Sequence, residues 1–145
     1  MAEELTRTHS AQRLPVAVLG LLGAIDLARG SFHWLAPDSG AGIVAGMDLH
    51  NAGAPNIVFL LAADGISQIA WGVLDLLVVF RERRFVPLMF AFEAARSAAL
   101  LVTEYLFKPP VPPVPGRFMH MATFAVAVIM YGLARRCGFG PGQRE

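Results

Sequence analysis

The sequence predicts an all-α membrane protein, a bundle of four transmembrane helices. Hydrophobic residues make up 55% of the 145-residue chain and charged residues only 16%. The mean hydropathy is +0.53, far from the balance of a soluble domain. Spanning a bilayer takes about 20 residues, and four apolar stretches come close to or exceed that length: 14–35, 57–80, 85–107 and 118–134. At this length we expect a single domain over residues 1–145.

The first stretch, 14–35, has a rival interpretation as a cleaved signal peptide. Arg7 and Arg13 precede it, as basic residues precede the apolar part of a signal peptide. No small-x-small cleavage site comes before Asp26 and Arg29 interrupt the run. We therefore expect this stretch to be the first transmembrane helix.

The three connections between the helices differ in kind. The first, residues 36–56, is long and rich in glycine, and a short helix at the membrane surface fits its middle, with Asp38 or Ser39 as the N-cap. The second is the tight turn RERR, which predicts that the second and third helices are antiparallel neighbours. The third, KPPVPPVPGR, predicts a stiff polyproline-II spacer.

The positions of lysine and arginine predict the orientation. Eight arginines lie in the N-terminal tail, the RERR turn and the C-terminal tail, whereas only Lys108 and Arg117 lie in the connections on the other side. Cytoplasmic loops carry an excess of Lys and Arg. Both termini are therefore expected in the cytoplasm.

Each predicted helix carries its polar residues on one face. The second helix shows this most clearly, because Asp64, Gln68, Trp71 and Asp75 follow helical spacing. The other three faces carry Asp26, Arg29 and His33; Glu93, Arg96 and Glu104; and His120, Thr123 and Tyr131. Four such faces predict a polar interior and a lipid-facing exterior.

Depth in the membrane predicts which charges meet. At about 1.5 Å of rise per residue, Arg29 and Asp64 lie at equal depth, so we predict that they are in contact. Nearer the midplane we predict a central set of four residues: Arg96, Asp26, Glu93 and Gln68. A lone Arg or Asp at the centre of a membrane helix costs about 2.5 to 3.5 kcal/mol, so partners on other helices are required.

Two further acidic residues are interpreted as ordinary boundary charges. Asp75 is expected near the inner arginines, and Glu104 can reach Lys108 one helical turn later. Among the deeper groups, two arginines, Arg29 and Arg96, face three carboxyl groups, those of Asp26, Asp64 and Glu93. We therefore expect one of the three to hold a proton near neutral pH.

Ionisable residues inside a membrane are candidates for a functional site. The candidate ligand-binding residues, or polar core, are Asp26, Arg29, Asp64, Gln68, Glu93 and Arg96, and the secondary candidates are His33, Trp71 and His120. The competing interpretation is a polar clasp that only fixes the register of the helices. The histidines match no metal-binding motif, so no metal ion and no cofactor is expected.

The leading functional interpretation is a small inner-membrane protein whose core binds or passes a small ligand or protons, as a homo-oligomer in the lipid bilayer. One alternative is an accessory or structural subunit of a membrane complex. Another is a membrane enzyme that acts on a lipophilic substrate, with Asp64 or Glu93 transferring a proton. No serine or cysteine lies in a nucleophile motif, which weighs against an enzyme. The basic residues form an orientation signal and not a groove, so no nucleic-acid partner is expected.

One sequence pattern covers most of the chain, from about residue 16 to 109. It comprises Arg29-Gly30, His33, Pro37-Asp38, Gly40-Ala-Gly42, Ala45-Gly-Met-Asp48-Leu49, Gly65, Gln68, Trp71-Gly72, the arginines of RERR, Val86-Pro-Leu88, Glu93 and Arg96. The pattern resembles that of small bacterial four-helix membrane proteins. This resemblance implies the architecture and carries no known activity. DoxX-like proteins are similar in size and helix number, but their local pattern is not found here.

Overall fold

In the computed structural model, which describes residues 2–110 and 116–139, the chain folds into four α-helices. They are α1 (Ala2–Leu35), α2 (Ala54–Arg81), α3 (Val86–Val102) and α4 (Gly116–Arg136). A 3₁₀ turn, Arg83–Phe85, precedes α3, and a π-helical turn, Thr103–Phe107, follows it. Most of the predicted polyproline spacer, residues 111–115, lies outside the described residues.

All four helices are long and apolar enough to cross a membrane. The segments with this property are Ala11–Leu35, Ala54–Arg81, Arg83–Phe107 and Gly116–Arg136. This confirms the predicted all-α class with four helices of membrane-spanning length. The ends of α2 and α4 lie within a few residues of the predicted ones.

The first helix is longer than predicted, because it begins at Ala2 and not at residue 14. The polar stretch ahead of the apolar run contains alanine, glutamate, leucine and glutamine, all good helix formers. Hydropathy marks only the apolar part of such a helix and carries no information on where its polar extension begins. Pro15 lies inside α1, where it removes one backbone hydrogen bond.

A seam of glycines brings the backbones of α1 and α2 into direct contact. Gly30 faces Gly65 across the seam, and a Cβ added to Gly30 would lie 2.5 Å from the Gly65 carbonyl oxygen. Gly23 faces Gly72 in the same way, at 2.6 Å from a Cβ on Gly72 to the Gly23 carbonyl oxygen. Small residues allow such close approach of membrane helices. A side chain at these positions would force α1 and α2 apart.

The third and fourth helices form a second hairpin with larger side chains at its centre. Val86 and Phe90 of α3 are fully buried, as are Ala127 and Ala134 of α4. Leu19 of α1 joins the same apolar cluster. The backbones of α3 and α4 approach closely along much of their length, whereas those of α2 and α3 do so at few places. The tight RERR turn therefore links two hairpins and does not make α2 and α3 close partners throughout.

The outer connection between α1 and α2 winds through hydrogen-bonded turns where a short helix was expected. Asp38 caps these turns, because its carboxylate accepts hydrogen bonds at 2.8, 3.0 and 2.9 Å from the backbone N–H groups of Gly40, Gly42 and Ile43. Ser39 and Gly40 have φ angles of 51° and 78°. Left-handed backbone cannot continue a right-handed helix. Ser39 and Gly40 therefore prevent the expected helix from starting, and Gly46, with a φ of 65°, interrupts it in its middle.

Candidate functional site

Arg96 of α3 forms a polar link between the two hairpins in the interior of the bundle. Its Nη2 donates hydrogen bonds to Asp26 Oδ2 on α1 at 2.8 Å and to Glu93 Oε2 at 2.9 Å. The guanidinium also lies over Trp71 of α2, with Cζ 5.5 Å from the ring centroid. Hydrogen bonds between ionised groups are about twice as strong as neutral ones. One arginine thus binds carboxylates from two helices while an aromatic ring from a third covers it.

Asp75 of α2 completes this arrangement and is its least expected member. The side chain is fully buried, and it interacts electrostatically with Glu93, Asp26 and Arg96. Neither oxygen of its carboxyl group has a hydrogen-bond partner among the described residues. The four residues Asp26, Asp75, Glu93 and Arg96 are called the central cluster below. It contains three carboxyl groups and one guanidinium.

The glycine seam makes room for the Asp75 side chain. A Cβ added at Gly23 of α1 would lie 2.9 Å from the Cβ of Asp75, closer than such atoms are found. Gly72, one helical turn before Asp75, is part of the same seam. The close approach of α1 and α2 therefore also encloses the Asp75 carboxyl group and keeps water from it.

The interpretation of Asp75 as a boundary charge is not what the structure shows. Counted from the RERR turn, Asp75 lies six residues before the end of α2 at Arg81, and Glu93 lies seven residues after the start of α3 at Val86. The two carboxyls are therefore at matched depth. This signal is present in the sequence, but it becomes visible only when depth is counted from the inner turn.

A second polar group lies nearer the outer end of α1 and α2. Arg29 Nε donates a hydrogen bond to Gln68 Oε1 at 2.9 Å, and the Gln68 amide nitrogen donates one to Asp64 Oδ2. The predicted direct contact between Arg29 and Asp64 is thus replaced by a bridge. Gln68 lies one turn from Asp64 on the same face, so its amide can serve both charges. We call these three residues the outer polar chain, and Gln68 belongs to it and not to the central cluster.

The two candidate histidines lie apart from the central cluster. His33 Nδ1 donates to the carbonyl oxygen of Ser39 at 2.7 Å and so holds the outer turn. His120 Nδ1 of α4 lies 2.8 Å from Glu104 Oε1. Glu104 therefore pairs with His120, and the predicted pair with Lys108 is wrong. The π-helical turn explains this, because the Lys108 N–H bonds to the Thr103 carbonyl and the wider turn moves Lys108 off the face of Glu104.

The chemistry available to the central cluster follows from its charges. Within the described residues, no group of three or more His, Cys, Asp or Glu side chains is placed to hold a metal ion. A buried carboxylate without a compensating charge costs several kcal/mol. Arg96 already binds Asp26 and Glu93, so its single charge is shared before Asp75 is counted. The simplest species that neutralises the remaining carboxyl groups is a proton.

Comparison with known proteins adds no residue role to this geometry. No protein-family model matches the chain, and no curated protein and no solved structure matches it either. The function is therefore argued from the central cluster itself.

Proposed function

We propose that the chain is a multi-pass protein of the cell inner membrane whose central cluster binds and releases a proton in support of binding or passing a small ligand. The observation that carries this proposal is Asp75, a fully buried carboxyl group with no hydrogen-bond partner on either oxygen among the described residues. Buried polar groups are nearly always satisfied, and the exceptions call for a chemical explanation. A proton that comes and goes provides one.

Insertion in a membrane is supported by the surface of the bundle. Large hydrophobic side chains are exposed on every helix, for example Leu21, Phe59, Phe92 and Ile129. Large exposed apolar patches mark interaction surfaces, and on four helices of membrane-spanning length and hydropathy they are suited to contact with lipid. The excess of arginine at the RERR end supports cytoplasmic termini.

The neighbours of Asp75 support proton binding there. Asp26 faces it from α1, and Glu93 and Arg96 face it from α3. Two of these three groups are themselves acidic, and the arginine is engaged by both of them. A neutral Asp75 does not repel the carboxylates of Asp26 and Glu93, whereas an ionised Asp75 does.

Glu93 is the natural partner for proton exchange. Its side chain is 1% exposed, and its Oε1 has no hydrogen-bond partner among the described residues. Glu93 is one of the charged groups that interact electrostatically with Asp75. A proton on Asp75 therefore has a second unsatisfied carboxyl oxygen in its surroundings, while Asp26 and Arg96 hold the helices in place.

A single four-helix bundle is small for a transport pathway, which favours assembly of several copies. Native mass spectrometry of the purified chain in mild detergent measures the number of copies and any retained ligand together.

The direct test is infrared difference spectroscopy of the full chain in lipid bilayers during a pH titration. We expect a C=O band from a protonated carboxyl group that disappears at alkaline pH and is absent in Asp75→Asn. The matched control is Asp64→Asn, which removes a carboxyl from the outer polar chain and is expected to leave the band unchanged. A band that persists in Asp75→Asn contradicts the assignment to Asp75, and a band that no pH removes contradicts proton exchange.

Passage is tested separately in vesicles that contain a pH-sensitive dye. We expect the wild-type chain to relax an imposed pH gradient faster than empty vesicles do, and Asp75→Asn to lose this activity while Asp64→Asn keeps it. An infrared band without relaxation of the gradient restricts the function to proton-linked binding. If neither the infrared band nor the relaxation of the gradient is observed, the proposal is rejected.

A further inference from the structure

A cavity lies at the basic end of the bundle, between the start of α3 and the end of α4. Its volume is about 360 Å³, within the range of small-molecule sites. No residue of the central cluster lines it. Its wall combines two arginines and a tyrosine with apolar side chains: Arg84, Arg135, Tyr131, Leu88, Ala91 and Phe139. The cavity is therefore positively charged at one part of its wall and apolar at another.

The polar groups of the cavity have donors to spare. Arg84 Nε lies 3.1 Å from Glu82 Oε2, and its guanidinium stacks on Phe85 with Cζ 4.7 Å from the ring centroid. Its two terminal nitrogens make no hydrogen bond to another described residue. The Arg135 guanidinium and the Tyr131 hydroxyl likewise have no hydrogen bond or ion pair within the described part of the chain. These groups can all donate to one anion.

We propose that this cavity binds the phosphate group of an anionic phospholipid, independently of the function of the central cluster. The guanidinium fork matches the geometry of phosphate oxygens. Basic pockets between membrane helices are suited to lipid headgroups, and tyrosine is enriched at the depth of those headgroups. Charge complementarity selects an anionic lipid, because Glu82 is the one carboxylate within 4.0 Å of the described arginines of the cavity.

The apolar wall argues for a lipid over a soluble phosphate compound. Leu88 and Tyr131 line the cavity and are also exposed at the surface of the bundle, so the cavity opens beside the lipid-facing side of α3 and α4. Ala91 extends the apolar wall on α3. A phospholipid places its phosphate and its glycerol and acyl groups in this same order, from the arginines toward the membrane interior.

The test is native mass spectrometry of the full chain with phosphatidylglycerol and phosphatidylcholine that carry identical acyl chains. We expect the wild-type chain to retain phosphatidylglycerol preferentially. Arg84 and Arg135 line the cavity and can donate directly to the phosphate, and hydrogen bonds between charged groups are stronger than neutral ones. Arg84→Gln and Arg135→Gln should therefore each weaken retention about fivefold.

The controls are Arg81→Gln and Arg136→Gln. Both remove one positive charge from exposed residues at the same end of the bundle, and neither residue lines the cavity. We expect less than a twofold effect from either. Equal losses in the control and cavity variants, or equal retention of the two lipids by the wild-type chain, would overturn the proposal.

Two variants test the cavity without removing its arginines. Glu82→Gln deletes the carboxylate bonded to Arg84 and is expected to strengthen retention, the opposite sign to Arg84→Gln. Ala91→Leu fills the apolar wall at unchanged charge and is expected to weaken it. Competition with inorganic phosphate separates the two sources of the anion: displacement of the lipid at millimolar phosphate would make the ligand a soluble phosphate compound and reject the lipid. Helix content by circular dichroism confirms that each variant folds.

Discussion

The central cluster and the outer polar chain both place charged side chains inside the bundle, but they offset the free-energy cost of burying charge in different ways. In the outer polar chain one arginine and one aspartate are joined by a neutral amide, and Asp64 is exposed. In the central cluster Arg96 binds two carboxylates, and a third carboxyl group, that of Asp75, is buried with no hydrogen-bond partner on either oxygen among the described residues. Charge balance and exposure, more than depth, therefore distinguish the two groups.

The largest difference between the two groups is expected when the arginine of each is removed in turn. Arg96→Met leaves Asp26 and Glu93 buried without their shared partner, and loss of one partner from a buried ion pair costs about 3 to 5 kcal/mol. Arg29→Met leaves only the neutral Gln68 amide unpaired and should cost about 1 to 2 kcal/mol. Equilibrium unfolding of both variants in mixed detergent, followed by circular dichroism, measures the difference. Equal losses would mean that the two groups are equivalent.

A smaller effect is expected when a carboxyl group is neutralised together with its arginine. Glu93→Gln in the Arg96→Met background removes one of the uncompensated charges and should restore about 1 to 3 kcal/mol, because residues in one network are strongly non-additive. Asp64→Asn in the Arg29→Met background should restore little. The two double-mutant cycles therefore have different coupling energies. A coupling near zero for Glu93 and Arg96 would show that the central cluster is not held by charge.

The sequence predicts the four helices and part of the polar core. The physical reasons for this also explain why the other contacts of the polar core could not be predicted. Hydropathy and length are properties of single segments, so four spanning helices are predictable. Matched depth pairs Arg96 with Asp26, and the two are hydrogen-bonded in the structure. Depth does not place side-chain rotamers, so the bridging position of Gln68 was missed. Depth also depends on the boundary from which it is counted. The matched depth of Asp75 and Glu93 is visible only from the inner turn, and without it Asp75 is interpreted as a boundary charge.

The π-helical turn and the pairing of glycines along the seam are two further features that the sequence pattern does not predict. Nothing in the spacing of Glu104 and Lys108 signals the wider turn that separates them. The glycines at positions 23 and 30 of α1 and 65 and 72 of α2 are visible in the sequence, but their pairing depends on the relative shift of the two helices. That shift is a property of packing between segments.

The smallest expected effect concerns Asp38, which lies in a connection outside the helices and whose carboxylate accepts backbone hydrogen bonds. Asp38 lies in the outer connection, and backbone hydrogen bonds from Ile43 and Gly40, with a further one from Gly42, hold the pKa of its carboxyl group below the usual value. We expect Asp38→Asn to lower the unfolding temperature slightly at neutral pH, because the turn loses a charged acceptor. Asp48→Asn is the control, since His50 is the only described residue that donates hydrogen bonds to the Asp48 carboxylate.

The sign of the pH dependence follows from the lowered pKa of Asp38. A carboxyl group whose pKa is lower in the folded than in the unfolded chain contributes stability above its unfolded pKa, which is about 3.9, and loses it as the pH falls through the folded value. The difference in unfolding temperature between wild type and Asp38→Asn should therefore be constant from pH 7 to about 5 and vanish in strong acid. A difference that persists unchanged in strong acid would mean that Asp38 supports the turn by shape and not by charge. Among the described residues, three backbone N–H groups donate to the Asp38 carboxylate and none donates to Asp75. A charge effect at Asp38 would therefore show that hydrogen-bond donors, and not the residue type, decide whether an aspartate in this protein is held as a carboxylate.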